Sequence, residues 1–143
     1  MKTILRNILA VFAGLVVGSL VNMGLITAGP FVIPPPEGAD VSSMESLRDS
    51  MGLFRPAHFA FPFLAHALGA LTGAFVAAKL AVSHHRKFAI GIGVAFFIGG
   101  VMAATTIGGP AWFNVIDLVL AYLPMAILGG WLATAGTQQS AER

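Results

Sequence analysis

The sequence predicts an all-α integral membrane protein: a four-transmembrane-helix bundle with a short interfacial helix in the first extramembrane loop. Three observations predict it. Charged residues make up only 10% of the 143 residues and hydrophobic ones 57%, whereas a soluble domain carries about 25% charged residues. Four apolar runs approach the ~20 residues a helix needs to cross a bilayer core. Basic residues gather on one side of the resulting topology. A single domain, residues 1–143, follows, with spans at about 8–28, 57–82, 88–107 and 115–135 and an external loop at 29–56.

The first span begins after Lys2 and Arg6 and runs without a charge from Ile8 to Ala28. A basic start before an apolar run also fits a signal peptide, but the run is long for one and no A-x-A site follows, so a retained span is expected. Gly14, Gly18 and Asn22 stand four apart, a spacing that lets a second helix approach closely. The loop then opens with GPFVIPPPEG. Pro34, Pro35 and Pro36 lack backbone donors, so the stretch is expected to be extended rather than helical. Ser42 followed three residues later by Glu45 fits a capping box, and Met44, Leu47 and Met51 follow at helical spacing before Gly52. A short helix over Ser43 to Met51, lying at the headgroups or on the bundle, is the reading.

The second span, from Ala57, carries His58, Pro62 and His66, then a second small-residue pair, Gly69 and Gly73. Pro56 suits its start and Lys79 its interfacial end. Ser83 to Lys87 reads as a compact, solvated basic turn. The third span is rich in glycine and holds Thr105 and Thr106 near its end. A turn, GGPAWFN, ends at Asn114, which can cap the fourth span. That span holds Asp117, Tyr122 and Pro124. The tail from Gly136 is polar and expected to fray.

Lys2, Arg6, Lys79, Arg86, Lys87 and Arg143 fall on one side, and Arg48 and Arg55 on the other are offset by four acids. Both termini are therefore expected in the cytoplasm, with the protein in a bacterial cytoplasmic (inner) membrane. The expected partners are membrane lipid and either a second copy or a larger membrane protein, because the glycine-rich faces exceed what four helices use. The net charge of +2, with no basic patch interleaved with aromatics, excludes nucleic acid.

Polar residues inside the spans mark the candidate site. Asn22, His66, Asp117 and Tyr122 all fall in the outer half, His66 and Tyr122 within about a helical turn of each other in depth, so a common polar pocket roofed by the Ser43–Met51 helix is expected. The competing reading gives each a bland role: Asp117 near a positive helix end, His66 in a helix-locking hydrogen bond. His58, Thr105, Thr106 and Asn114 are secondary candidates, and Gly14, Gly18, Gly69 and Gly73 are assigned to helix packing. No metal site and no cofactor are expected. His58 and His66 stand about 12 Å apart along one helix, and the chain has no cysteine, which removes thiolate and dithiol chemistry. In size and span count the chain resembles small multidrug transporters, but the acid those carry in the first span is missing between Ile8 and Ala28. With no complete catalytic constellation, a non-catalytic accessory, scaffold or regulatory subunit is the expected function. The alternatives are a small-solute or proton transporter working as an oligomer, and an intramembrane enzyme acting on lipid or quinone.

Overall fold

The computed structural model describes residues 2–139, with side chains to residue 135. Its described residues form helices and no strands, and four helices are long and apolar enough to cross a membrane. These are α1 (Lys2–Val32), the helical unit made of a 3-10 turn (Pro56–Phe59) and α3 (Ala60–Leu80), α4 (His85–Ile107), and the pair α5 (Ala111–Leu120) and α6 (Leu123–Gln139). Between α1 and α3 lies the short α2 (Met44–Ser50), followed by a 3-10 turn at Met51–Leu53.

Helix α1 runs four residues beyond the expected end of the first span, straight through Gly29 and Pro30. One proline near a helix end removes one hydrogen bond, and the next amide still closes: Ile33 N–H donates to the Gly29 carbonyl at 2.8 Å. The stop comes from Pro34, which pushes Ile33 into extended backbone. The cap of α2 also differs by one residue from the reading above. Ser43, not Ser42, accepts from the Ser46 N–H at 3.1 Å, while Ser42 N–H turns back to the Asp40 carboxylate at 2.8 Å. Hydrogen bonds from Ser42 hold the exposed Asp40 carboxyl below its ordinary value. Buried Ser50 ties the proline loop to α2, its hydroxyl accepting from Asp40 N–H at 2.9 Å. Gly52 does not end α2; it sits inside the following 3-10 turn.

Pro62 falls in the first turn of α3, where a helix has unpaired amides in any case, so it interrupts little. Pro124 acts differently. With no N–H to offer Leu120, it breaks the expected fourth span into α5 and α6 at Ala121–Tyr122. The helix also starts earlier than expected, taking Trp112, Phe113 and Asn114 out of the turn and into α5. On the opposite side, α4 starts at His85 and takes Arg86 and Lys87 into its first turn. His85 does more than meet solvent: its Nδ1–H donates to the Ala78 carbonyl at 2.7 Å and covers the end of α3. Asn7 of α1 clips the same corner, donating to Ser83 Oγ at 3.1 Å and accepting from Val82 N–H at 2.8 Å. Helix α6 is helical to Gln139, so part of the expected frayed tail is ordered as helix, while residues 140–143 lie outside the described residues.

Helix α3 is central and packs on α1, α4 and α6. Small residues set how close these helices come. A methyl added at Gly14 would stand 2.6 Å from the Gly73 carbonyl oxygen and 2.7 Å from Ala77 Cβ; one at Gly18 would stand 2.6 Å from the Gly69 oxygen. The two pairs of glycines therefore face each other at an antiparallel crossing, backbone on backbone. Gly129 of α6 meets the Leu71 carbonyl of α3 in the same manner. The inner part of the protein is filled by Ala74, Ala77, Ala78, Ala89, Ile92, Ala126 and Ala133. Such short side chains leave little room, and the polar and open features lie at the other end.

Candidate functional site

Two helices and the turn between α5 and α6 bring three polar side chains together. His66 lies about two turns into α3, Asp117 about two turns into α5, and Tyr122 at the Pro124 break. His66 Nδ1 stands 2.9 Å from both Asp117 Oδ1 and Asp117 Oδ2. Tyr122 O–H donates to Asp117 Oδ2 at 2.9 Å. The imidazole and phenol rings stack, with centroids 5.4 Å apart and 28° between planes. Asp117 is 4% and Tyr122 1% exposed. A carboxylate so deeply buried is costly unless donors surround it, and here it has two.

The helix break is what permits this. Residues Asp117 and Tyr122 are five apart and would stand about 140° apart around a regular helix. The interruption before Pro124 swings Tyr122 back toward Asp117. On the far side α4 yields space: a methyl on Gly100 would collide with the Tyr122 ring and hydroxyl. Phe97 closes the pocket of the phenol edge-on, at 6.1 Å and 82°.

Above His66 and Asp117 is a cavity of about 440 Å³, within the ~300–1,000 Å³ usual for small-molecule sites. Helix α2 and its following turn roof it through Met44, Leu47, Met51 and Phe54. Its walls are Ile26, Gly29 and Pro30 of α1, Phe61 of α3, Gly100, Ala103, Ala104 and Ile107 of α4, and Phe113 of α5. Methionines at the roof give an adaptable surface. The titratable groups among the lining residues are His58 near the roof and His66 and Asp117 at the floor. No group of three or more His, Cys, Asp or Glu residues able to hold a metal ion occurs among the described residues.

The other sequence candidates have separate places. His58 lines the cavity, and its Nδ1 accepts from Arg55 N–H at 3.0 Å, capping the 3-10 turn, while its ring meets Phe54 edge-on. Asn114 also lines the cavity but does not cap α5; its Nδ2 donates to the Gly109 carbonyl at 3.0 Å. Asn22 lies at the α1–α3 crossing against Gly69 and is not part of the cavity lining. Thr105 bonds back to the Val101 and Met102 carbonyls, and both Thr105 and Thr106 are exposed. Tyr122 stands behind Asp117 rather than in the cavity wall. Gly100, Phe97 and the Phe61–Phe113 walls escape a sequence reading that tracks polar atoms. The run Gly99-Gly100 was their one signal, since a glycine in a helix interior often marks a close neighbour.

Comparison with known proteins finds no family model, no curated protein and no solved structure that matches the chain.

Proposed function

We propose that the chain is a small multi-pass membrane protein whose long helices cross a bacterial cytoplasmic membrane as a four-helix bundle, both termini inside, and that it is a non-catalytic binding subunit. It holds an amphiphile in the cavity beneath α2, with the apolar body among the roof and wall residues and the polar head at His66. The observation that carries this reading is the cavity's polarity. It is apolar along its length and ends on a buried, prearranged His66–Asp117 pair. A hydrophobic pocket with a few convergent polar groups is the usual form of a small-molecule site.

Binding is favoured over conduction because the inner half is filled by small, closely packed side chains, and a conduction path needs both halves. The exposed apolar face of α1, including Phe12, Leu20 and Met23, supports contact with lipid, a second copy or a larger membrane partner. A second reading, proton transfer to or from a bound lipid or quinone, has one observation in its favour. A histidine held through Nδ1 by a carboxylate is oriented as general bases are.

The test is saturable binding of the fluorescent apolar probe 1-aminoanthracene to the purified protein in lipid nanodiscs. Ala104→Trp, which fills the cavity, abolishes the saturable component and leaves the folded yield intact. Equal probe uptake by wild type, variant and empty discs contradicts the proposal.

A further inference from the structure

Resting on the binding reading above, we infer that the ligand's head is a neutral hydrogen-bond donor, a phenol or other hydroxyl, on a hydrocarbon body. The floor of the cavity is symmetric. His66 Nδ1 lies at the same 2.9 Å from Oδ1 and Oδ2 of Asp117. One N–H shared between two carboxylate oxygens produces that arrangement, whereas a protonated acid directs its O–H from a single oxygen. Tyr122 O–H supplies the second donor to the same carboxylate. In the neutral ring that carries its proton on Nδ1, toward the carboxylate, Nε2 presents its lone pair as an acceptor.

That nitrogen is open. Nε2 makes no hydrogen bond among the described residues, and no buried side-chain nitrogen or oxygen there lacks a partner, so Nε2 is an accessible atom on a side chain that lines the cavity. An open acceptor at the end of an apolar cavity selects a donor. The lining also argues about charge. It contains no lysine or arginine to pair an anionic head, and its carboxylate is already satisfied by His66 and Tyr122. A phosphate or carboxylate would be buried beside Asp117 without a counter-ion, and an ammonium would compete with two donors in place. A neutral hydroxyl pairs with Nε2 and strands nothing.

The experiment measures binding of 4-octylphenol, its methyl ether 4-octylanisole, octanoate and octylamine by calorimetry, with the protein in nanodiscs and empty discs subtracted. The phenol is expected to bind at least about ten-fold more tightly than the ether, because the ether leaves Nε2 unpaired. Octanoate and octylamine are expected to bind more weakly than the phenol. Asp117→Asn removes the preference: Tyr122 O–H holds the amide oxygen, the amide NH₂ then faces Nδ1, and the ring proton moves to Nε2, which donates to the phenol oxygen and the ether oxygen alike. His66→Phe, which keeps a ring and offers no acceptor, loses the discrimination between phenol and ether. Equal affinity of phenol and ether for the wild type overturns the donor inference while leaving the binding cavity in place. Tighter binding of octylamine or octanoate overturns it as well. Absence of saturable binding by all four, with the protein folded, overturns the cavity reading itself.

Discussion

Gly100 offers the sharpest test of how the polar floor is held. A single methyl added there would fall on the Tyr122 ring, 2.7 Å from Cε2 and closer still to Cζ and Oη. Real Cβ atoms essentially never come within 3.0 Å of a neighbour, so the ring must give way. It cannot do so freely: Tyr122 is 1% exposed and packs among Ala67, Ala121, Phe63, Phe97 and Met125. Moving the ring strains the 2.9 Å bond that its hydroxyl makes to Asp117. The losses are roughly 1–3 kcal/mol for overpacking and about 1–2 kcal/mol for a hydrogen bond in a membrane interior. Gly100→Ala should therefore destabilise the protein by about 2–5 kcal/mol in total. Gly99→Ala is the matched control, because nothing lies within 4 Å of its added methyl and alanine improves helix propensity by up to about 1 kcal/mol. Reversible unfolding in mixed micelles reads both. The coupling is checked with Tyr122→Phe, which removes the hydroxyl: the double variant should cost less than the sum of the singles. A Gly100→Ala protein as stable as Gly99→Ala would refute the placement of Tyr122 against α4.

Four further outcomes are expected. Gly14→Ala should loosen the α1–α3 crossing, since the added methyl would stand 2.6 Å from the Gly73 carbonyl oxygen and 2.7 Å from Ala77 Cβ; a lowered unfolding midpoint in mixed micelles reports it. Gly73→Leu should prevent that crossing and abolish monodisperse folded protein by size-exclusion chromatography, because the side chain would enter the Gly14 carbonyl. Ser43→Ala should cost α2 about 1 kcal/mol of local stability, seen as faster hydrogen exchange at the Ser46 amide, while the long helices are unchanged. Asp40 should titrate below 3.8, and Ser42→Ala should raise it. Because its folded value is depressed, the contribution to the loop is present above the unfolded value and is lost as pH falls through the folded one, in the acid range below about 4; carboxyl carbon shifts in NMR follow it.

The long helices were legible in the sequence because an apolar run of spanning length has few alternative meanings. Boundaries were less so, and each miss has a local cause. Pro30 looked like a stop, but a proline next to a helix end sacrifices one bond only, and the real stop needed Pro34. Pro124 was placed inside one continuous span, yet it divides α5 from α6, because it has no N–H to offer Leu120. The meeting of His66 with Asp117 and Tyr122 was legible because polar groups sharing the outer half turn away from lipid and have few other partners there. Depth does not give rotation about the helix axis. Asn22, at a similar level, points at Gly69 instead. The cavity walls were illegible for a different reason: Phe61, Ala103 and Ile107 belong to faces that read identically whether they meet lipid, protein or open space.

The central claim, an amphiphile site beneath α2 and above His66, is tested most directly by photolabelling in lipid nanodiscs with an alkylphenol carrying a diazirine at the end of its tail. Peptide mass spectrometry should find saturable labelling, competed by 4-octylphenol, on Met44, Met51, Phe61 and Phe113, the residues that line the cavity. Labelling confined to Leu20, Met102 and Ile127, exposed residues outside that cavity, and not competed by 4-octylphenol, would contradict it.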